Sequence, residues 1–169
     1  MKTIEMQRLL IDRFITVDTR DALELFGDGD SMRMTGLWPP LDSIAGSLAR
    51  VLEWSNDGAH RAILKKDTGE FIGYIAVNPD SEDGRDDTRE LAFALVKRHR
   101  GKGYMKEAVT AVLDELRDNG VRYVWACCIR GNDASEKLIR SLGFVLQQEG
   151  TFDSKNDRTY ERLEFRITL

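Results

Sequence analysis

Arg98-His99-Arg100-Gly101-Lys102-Gly103 is the stretch on which the reading of this chain turns. Ahead of it, Thr88 to Val96 is a run rich in apolar and aromatic residues that predicts a strand. Behind it, Met105, Ala108, Val109, Val112, Leu113 and Leu116 recur at helical spacing, and Asn119-Gly120 ends the pattern. A strand that passes through a glycine loop into a helix N-terminus builds an anion site, because unpartnered N–H groups and the positive end of the helix dipole meet there. Glycine at 101 and 103 removes the Cβ atoms that would hold an anion away from the backbone. Arg98, Arg100 and Lys102 are expected to add charge around it.

The spacing excludes the common nucleotide loops. A P-loop requires a Gly-Lys-Ser/Thr ending that is absent, and the third glycine of a dinucleotide fingerprint would fall at Lys106.

Outward from this loop, strand-like and helix-like segments alternate with no repeat or linker, which predicts one domain over residues 1–169. Ile4 to Phe14 reads as a first strand, and Asp18 as the cap of a short helix through Phe26. Gly36-Leu37-Trp38-Pro39-Pro40 is a stiff turn. After it, Asp42 or Ser43 caps a helix expected to bury Ile44, Leu48, Val51 and Leu52. Asp67-Thr68-Gly69 between two apolar runs predicts a hairpin, and Asp80 to Asp87 a solvated turn. Val121 to Ile129 is a buried strand, followed by a helix whose face is Ala134, Leu138 and Leu142. Phe144 to Gln147 and Thr159 to Leu169 complete the strands. The pattern is an α/β fold, a mixed sheet with helices on both faces.

The composition, with a net charge of −4, argues against nucleic-acid binding; the basic residues cluster only around the glycine loop. No apolar run approaches the ~18 residues of a membrane span, and Met1 to Met6 lacks an apolar signal core, so a cytoplasmic protein is expected. Cys127 and Cys128 are adjacent within a strand and would point to opposite faces, which predicts reduced, structural thiols rather than a disulfide or a metal site.

Arg98-x-x-Gly101-x-Gly103 resembles the acyl-CoA pyrophosphate signature of the GNAT superfamily of N-acetyltransferases. The block Asn132-Asp133-Ala134-Ser135, Leu138 and Leu142-Gly143-Phe144, one strand later, is similar to that family's second motif. Glu90-Leu91-Ala92-Phe93-Ala94-Leu95, Gln7 to Ile11 and Thr159 to Phe165 resemble the RimJ/RimL-type branch, the ribosomal-protein N-terminal acetyltransferases.

The resemblance implies the acyl-CoA N-acyltransferase fold: a single, mostly antiparallel sheet with a central splayed parallel strand pair. It implies acetyl-CoA as co-substrate, no metal, and transfer of acetyl to a primary amine by direct attack on the thioester. The pantetheine arm is expected on the backbone of Ala94, Leu95 and Val96, and the pyrophosphate on amides from Arg100 to Tyr104. Asn132 would contact the arm, or cap the helix it precedes, or both. The tyrosine that many members use as sulfur donor is Ile139 here, and Ser135 takes the position that the branch gives to serine. Ser135 and Glu90 are therefore the expected catalytic residues, as donor to sulfur or oxyanion and as acceptor of the amine proton through water. A surface ion pair with Arg89 is the plainer reading of Glu90.

His99 lies in the pyrophosphate loop, away from the thioester end, and His60 has no partner visible in sequence. Trp38 is the expected aromatic wall of the acceptor pocket, a place that Trp54 or Tyr160 could equally fill. The expected acceptor is a primary amine of one of four kinds, a protein N-terminus, a polyamine, an amino acid or an antibiotic amine, on a monomer or homodimer. The alternative from another class is a non-catalytic acyl-CoA-binding or regulatory domain.

Overall fold

A computed structural model describes residues 2–35, 39–79, 84–153 and 158–169. Its strands are β1 (Ile4–Glu5), β2 (Leu9–Asp12), β3 (His60–Lys65), β4 (Phe71–Pro79), β5 (Thr88–Leu95), β6 (Tyr123–Ile129), β7 (Val145–Asp153) and β8 (Thr159–Thr168). Its helices are α1 (Thr19–Phe26), α2 (Gly29–Thr35), α3 (Ile44–Asn56), α4 (Tyr104–Asp118) and α5 (Asp133–Ser141). The strands form one sheet in the order β1-β2-β3-β4-β5-β6-β8-β7. Every pairing is antiparallel except β5 with β6.

Each face of the sheet carries its own apolar layer. On one, α4 buries Met105, Ala108, Val109, Val112, Leu113 and Leu116, the stripe its periodicity predicted, against Ile11, Ile63, Ile75, Leu91 and Val124. Burial of each large member contributes about 1.5–3 kcal/mol. On the other, α1 and α3 close over Phe14, Phe71 and Tyr74, with Trp54 in edge contact with Phe14 and Phe26.

Several local expectations differ from the structure. The segment Ile4 to Phe14 is two strands rather than one, because the chain turns back between Met6 and Leu9 (Met6 N–H to Leu9 O, 2.9 Å). Helix α3 buries Ser47, Val51 and Trp54, so its inward face is rotated from the expected one, and Ile44, Leu48 and Leu52 are exposed. Ser43, not Asp42, supplies the α3 cap by accepting from Gly46 N–H. In α5 the buried side chain is Ile139; Leu138 and Leu142 pack at its margin and Ala134 is exposed. Helix α2 had no counterpart in the sequence reading. The turn residues Gly36 to Trp38 and Asp80 to 83 lie outside the described residues.

Candidate active site

Strands β5 and β6 run side by side only from Thr88–Tyr123 to Leu91–Ala126. Beyond that row β5 stays with β4 as far as Leu95 opposite Gly73, and β6 stays with β8 as far as Ile129 opposite Arg162. The two parallel strands therefore part, and a cleft opens between residues 92–95 and 127–129. Gly73 permits the close approach on the β4 side: a Cβ there would lie 2.3 Å from Ala94 O. Val96 N–H continues the β4 contact by donating to Ile72 O (2.9 Å). Strand alternation then turns the backbone groups of Phe93 and Leu95, rather than those of Ala94 and Val96, toward the cleft.

The glycine loop lies just past the end of β5. Lys97–His99 form a short 3-10 turn, and Gly101 (φ 73°) and Gly103 (φ 80°) both adopt left-handed backbone. That conformation costs an L side chain roughly 1–2 kcal/mol, and so explains both glycines. Gly103 caps α4, whose first backbone bond into the cap runs from Glu107 N–H to Gly103 O (3.1 Å). The N–H groups of residues 101–106 have no acceptor among the described residues. A row of unpaired amides at a helix N-terminus fits a pyrophosphate, because each can donate to an anionic oxygen.

The arginines beside this row are engaged elsewhere, contrary to the expectation that they surround the anion. Arg98 pairs with Glu24 and with Glu70 (2.8 Å). Arg100 donates from Nε and Nη2 to Leu95 O (3.0 Å each) and from Nη2 to Ser31 Oγ (2.6 Å). Ser31 in turn donates to Asp28, and that hydrogen bond holds the Asp28 carboxyl below its ordinary value. Arg100 thereby fills the cleft-facing carbonyl at the end of β5. Lys102 is exposed, and no hydrogen bond or ion pair holds its side chain among the described residues, so it is available to meet a ligand.

His99 is buried against Glu70 (3.1 Å) behind the loop, so it braces the loop and does not face the cleft. His60 stacks on Trp54 (centroids 3.9 Å apart) and bonds Asp57; burial moves its pKa down. Trp54 is 2% exposed within the core and cannot line an acceptor pocket. Tyr160 stacks with Phe152 on the β7–β8 pair, and Trp38 lies outside the described residues.

At the far side of the cleft, Asn132 caps α5: its Oδ1 accepts from Ser135 N–H (3.2 Å), and its Nδ2 stands 3.5 Å from Met34 O. The Ser135 hydroxyl, in the first turn of α5, has no partner among the described residues. Glu90 sits in the paired part of β5, level with Asn78 on β4 and Trp125 on β6. Beside it, Arg89 donates to the carbonyls of Asp86 and Thr88.

Alternation along β6 and β8 places Glu90, Trp125, Cys127 and Glu164 on one sheet face, opposite that of Leu91, Ala126 and Phe165. Glu164, 1% exposed and bonded to Gln148 and Arg162, is a buried carboxylate that the sequence reading missed. Its alternation with Leu163 and Phe165 was the available signal. Neither Cys127 nor Cys128 is in a disulfide, and burial pushes the Cys128 thiol up to about 11. No group of three His, Cys, Asp or Glu side chains among the described residues could hold a metal ion. None of the described helices is long and apolar enough to cross a membrane.

The comparisons with known proteins agree with this geometry. Residues 8–145 match the family model described as an acetyltransferase (GNAT) domain. An uncharacterized N-acetyltransferase of Bacillus licheniformis, p20, is 29% identical over 173 residues, which cover 99% of this chain and 92% of that protein. The ribosomal-protein-S5-alanine acetyltransferase of Vibrio fischeri has a TM-score of 0.76 at 16% identity, covering 99% of this chain and 97% of its own. The microcin C7 self-immunity acetyltransferase MccE, solved with acetyl-CoA and AMP, has a TM-score of 0.81 at 18% identity, covering 97% of this chain and 94% of its own.

Proposed function

Because the chain belongs to the GNAT acetyltransferase domain family, we propose that this acetyl-CoA-dependent N-acetyltransferase acts on the α-amine of a protein or peptide N-terminus. The observation that carries acyl-CoA binding is the end of β5–β6 pairing at Leu91–Ala126 beside six consecutive amides, residues 101–106, that have no acceptor among the described residues. An α-amine titrates near ~8 and a lysine side chain near ~10.4. An N-terminus is thus the easier amine to present uncharged at neutral pH. The fold likeness to a ribosomal-protein acetyltransferase supports the same acceptor class. The proposed compartment is the cytoplasm.

The thioester supplies an activated acetyl group, and the side chains of this chain orient it and manage protons. The amides of residues 101–106, with Lys102, hold the pyrophosphate, and the cleft-facing backbone of Phe93 with the N–H of Leu95, whose carbonyl Arg100 occupies, takes the pantetheine arm as an added strand edge. This assignment replaces Ala94 and Val96, whose backbone faces β4. Asn132 keeps α5 in place at the far lip of the cleft. Ser135 Oγ donates to the sulfur or the oxyanion, and Glu90 accepts the amine proton through water.

Release of free CoA from acetyl-CoA tests this reading against short peptides, free amino acids, polyamines and aminoglycosides. Peptides with a free α-amine should turn over fastest, and their N-acetylated counterparts not at all. Preferred turnover of a polyamine or an aminoglycoside would replace the N-terminal acceptor with a small-molecule amine. Binding without release across the panel would reduce the chain to an acyl-CoA binder.

A further inference from the structure

We infer that Arg8, in the turn between β1 and β2, is a positioning residue that shapes the pyrophosphate loop through the Lys102 carbonyl and the Glu107 carboxylate. The inference rests on the reading of residues 101–106 as the pyrophosphate site. Arg8 Nη1 donates to Lys102 O (3.0 Å) and Nε to Glu107 Oε2 (2.6 Å), while the Arg8 backbone N–H donates to Glu107 Oε1 (3.0 Å). The guanidinium also lies 4.7 Å from the centroid of the Tyr104 ring. One side chain thus touches the loop, the first residue of α4 and the first turn of α4, across 94 and 99 residues of sequence.

Peptide planarity turns these contacts into a statement about the ligand. In a trans peptide the C=O and the following N–H point in opposite directions. Arg8, by holding Lys102 O on its own side, turns Gly103 N–H the other way, into the row of unpartnered amides. The contact with Glu107 does the second part of the work. A carboxylate in the first turn of α4 opposes an anion bound at the same helix end, and Arg8 compensates that charge from the side away from the amides. As an ion pair alone the contact would matter little to stability, since the Arg8 side chain is 45% exposed. Its consequence is the direction of an amide.

Arg8→Gln removes the charge and the fork while leaving the turn between β1 and β2 intact. The dissociation constant for CoA and the KM for acetyl-CoA should rise roughly tenfold, the loss expected when a charge-assisted hydrogen bond goes. The turnover number at saturating acetyl-CoA and the KM for the acceptor should stay within about twofold, since the contacts lie at the pyrophosphate end of the cleft. Arg8→Lys cannot reach the carbonyl and the carboxylate at once and should recover only part of the affinity. Unchanged CoA affinity in Arg8→Gln, full recovery in Arg8→Lys, or a loss spread equally over turnover and acceptor KM would each overturn the inference. A ligand-free measurement stands beside these: the 15N order parameter of Gly103 should fall in Arg8→Gln. An unchanged value there would also overturn it. If the wild-type protein failed to bind CoA, the reading of the cleft would fall, and Gly103 dynamics would still decide whether Arg8 sets the loop.

Discussion

The two sides of the cleft are built in different ways. At the pyrophosphate side, side chains from distant elements converge on one short loop. Arg8 comes from the β1–β2 turn, Glu24 from α1, Ser31 from α2 and Glu70 from the β3–β4 hairpin. They hold carbonyls and arginines in place, and the ligand-facing groups left over are backbone amides. At the acceptor side, Ser135 comes from α5 and Glu90 from β5, and the expected aromatic wall lies outside the described residues. A site made of braced backbone serves a constant ligand. A site made of individual side chains can change its acceptor without disturbing the cofactor loop.

The largest expected effect lies on the chemical side of this contrast. Ser135→Ala should lower turnover about a hundredfold, as loss of one oxyanion-type donor does, with CoA affinity within about twofold by calorimetry. Equal loss in both quantities would mean that the two sides are not separable in this way. Next, Gly103→Val places a β-branched residue at φ 80° and should weaken CoA binding by about tenfold or more. Turnover at saturating acetyl-CoA should hold. Retained affinity would show that the braced amides are not the pyrophosphate donors.

A smaller effect concerns the scaffold. Burial holds His60 neutral, with a folded pKa below its ordinary 6.5. The unfolded chain therefore binds more protons than the folded one between those values, and stability should fall as pH drops from 6.5 toward the folded pKa. His60→Phe, which keeps a ring against Trp54, should flatten the Tm profile in that window. The same slope in both proteins would assign the proton uptake elsewhere. The smallest effect is expected at Leu48: exposed on α3, its change to Gln should alter stability by no more than about 0.5 kcal/mol in urea titration. A loss of ~2–5 kcal/mol would restore the core role that its helical spacing suggests.

What could be read in the sequence follows from how local each feature is. The α4 stripe from Met105 to Leu116 and the loop glycines were legible, because a period of 3.6 and a left-handed turn leave marks within a few residues. The face of α3 was misread: Ile44, Leu48 and Leu52 share the helical spacing of Ser47, Val51 and Trp54, and only the sheet beneath decides which set turns inward. Helix α2 went unseen, since Gly29 to Thr35 offers two methionines and no apolar periodicity. The duties of Arg98 and Arg100 were misjudged for another reason. Their partners Glu70 and Ser31 lie 28 and 69 residues away, and charge near a glycine loop looks the same in sequence whether it faces ligand or protein.

The central claim, that acyl-CoA is held by backbone amides where β5 and β6 part, is tested most directly by a 15N titration with CoA. The largest amide shifts should fall on residues 101–106, with Phe93 and Leu95 following and Ala94 and Val96 moving less. Saturating shifts concentrated elsewhere, with residues 101–106 unmoved, would contradict it.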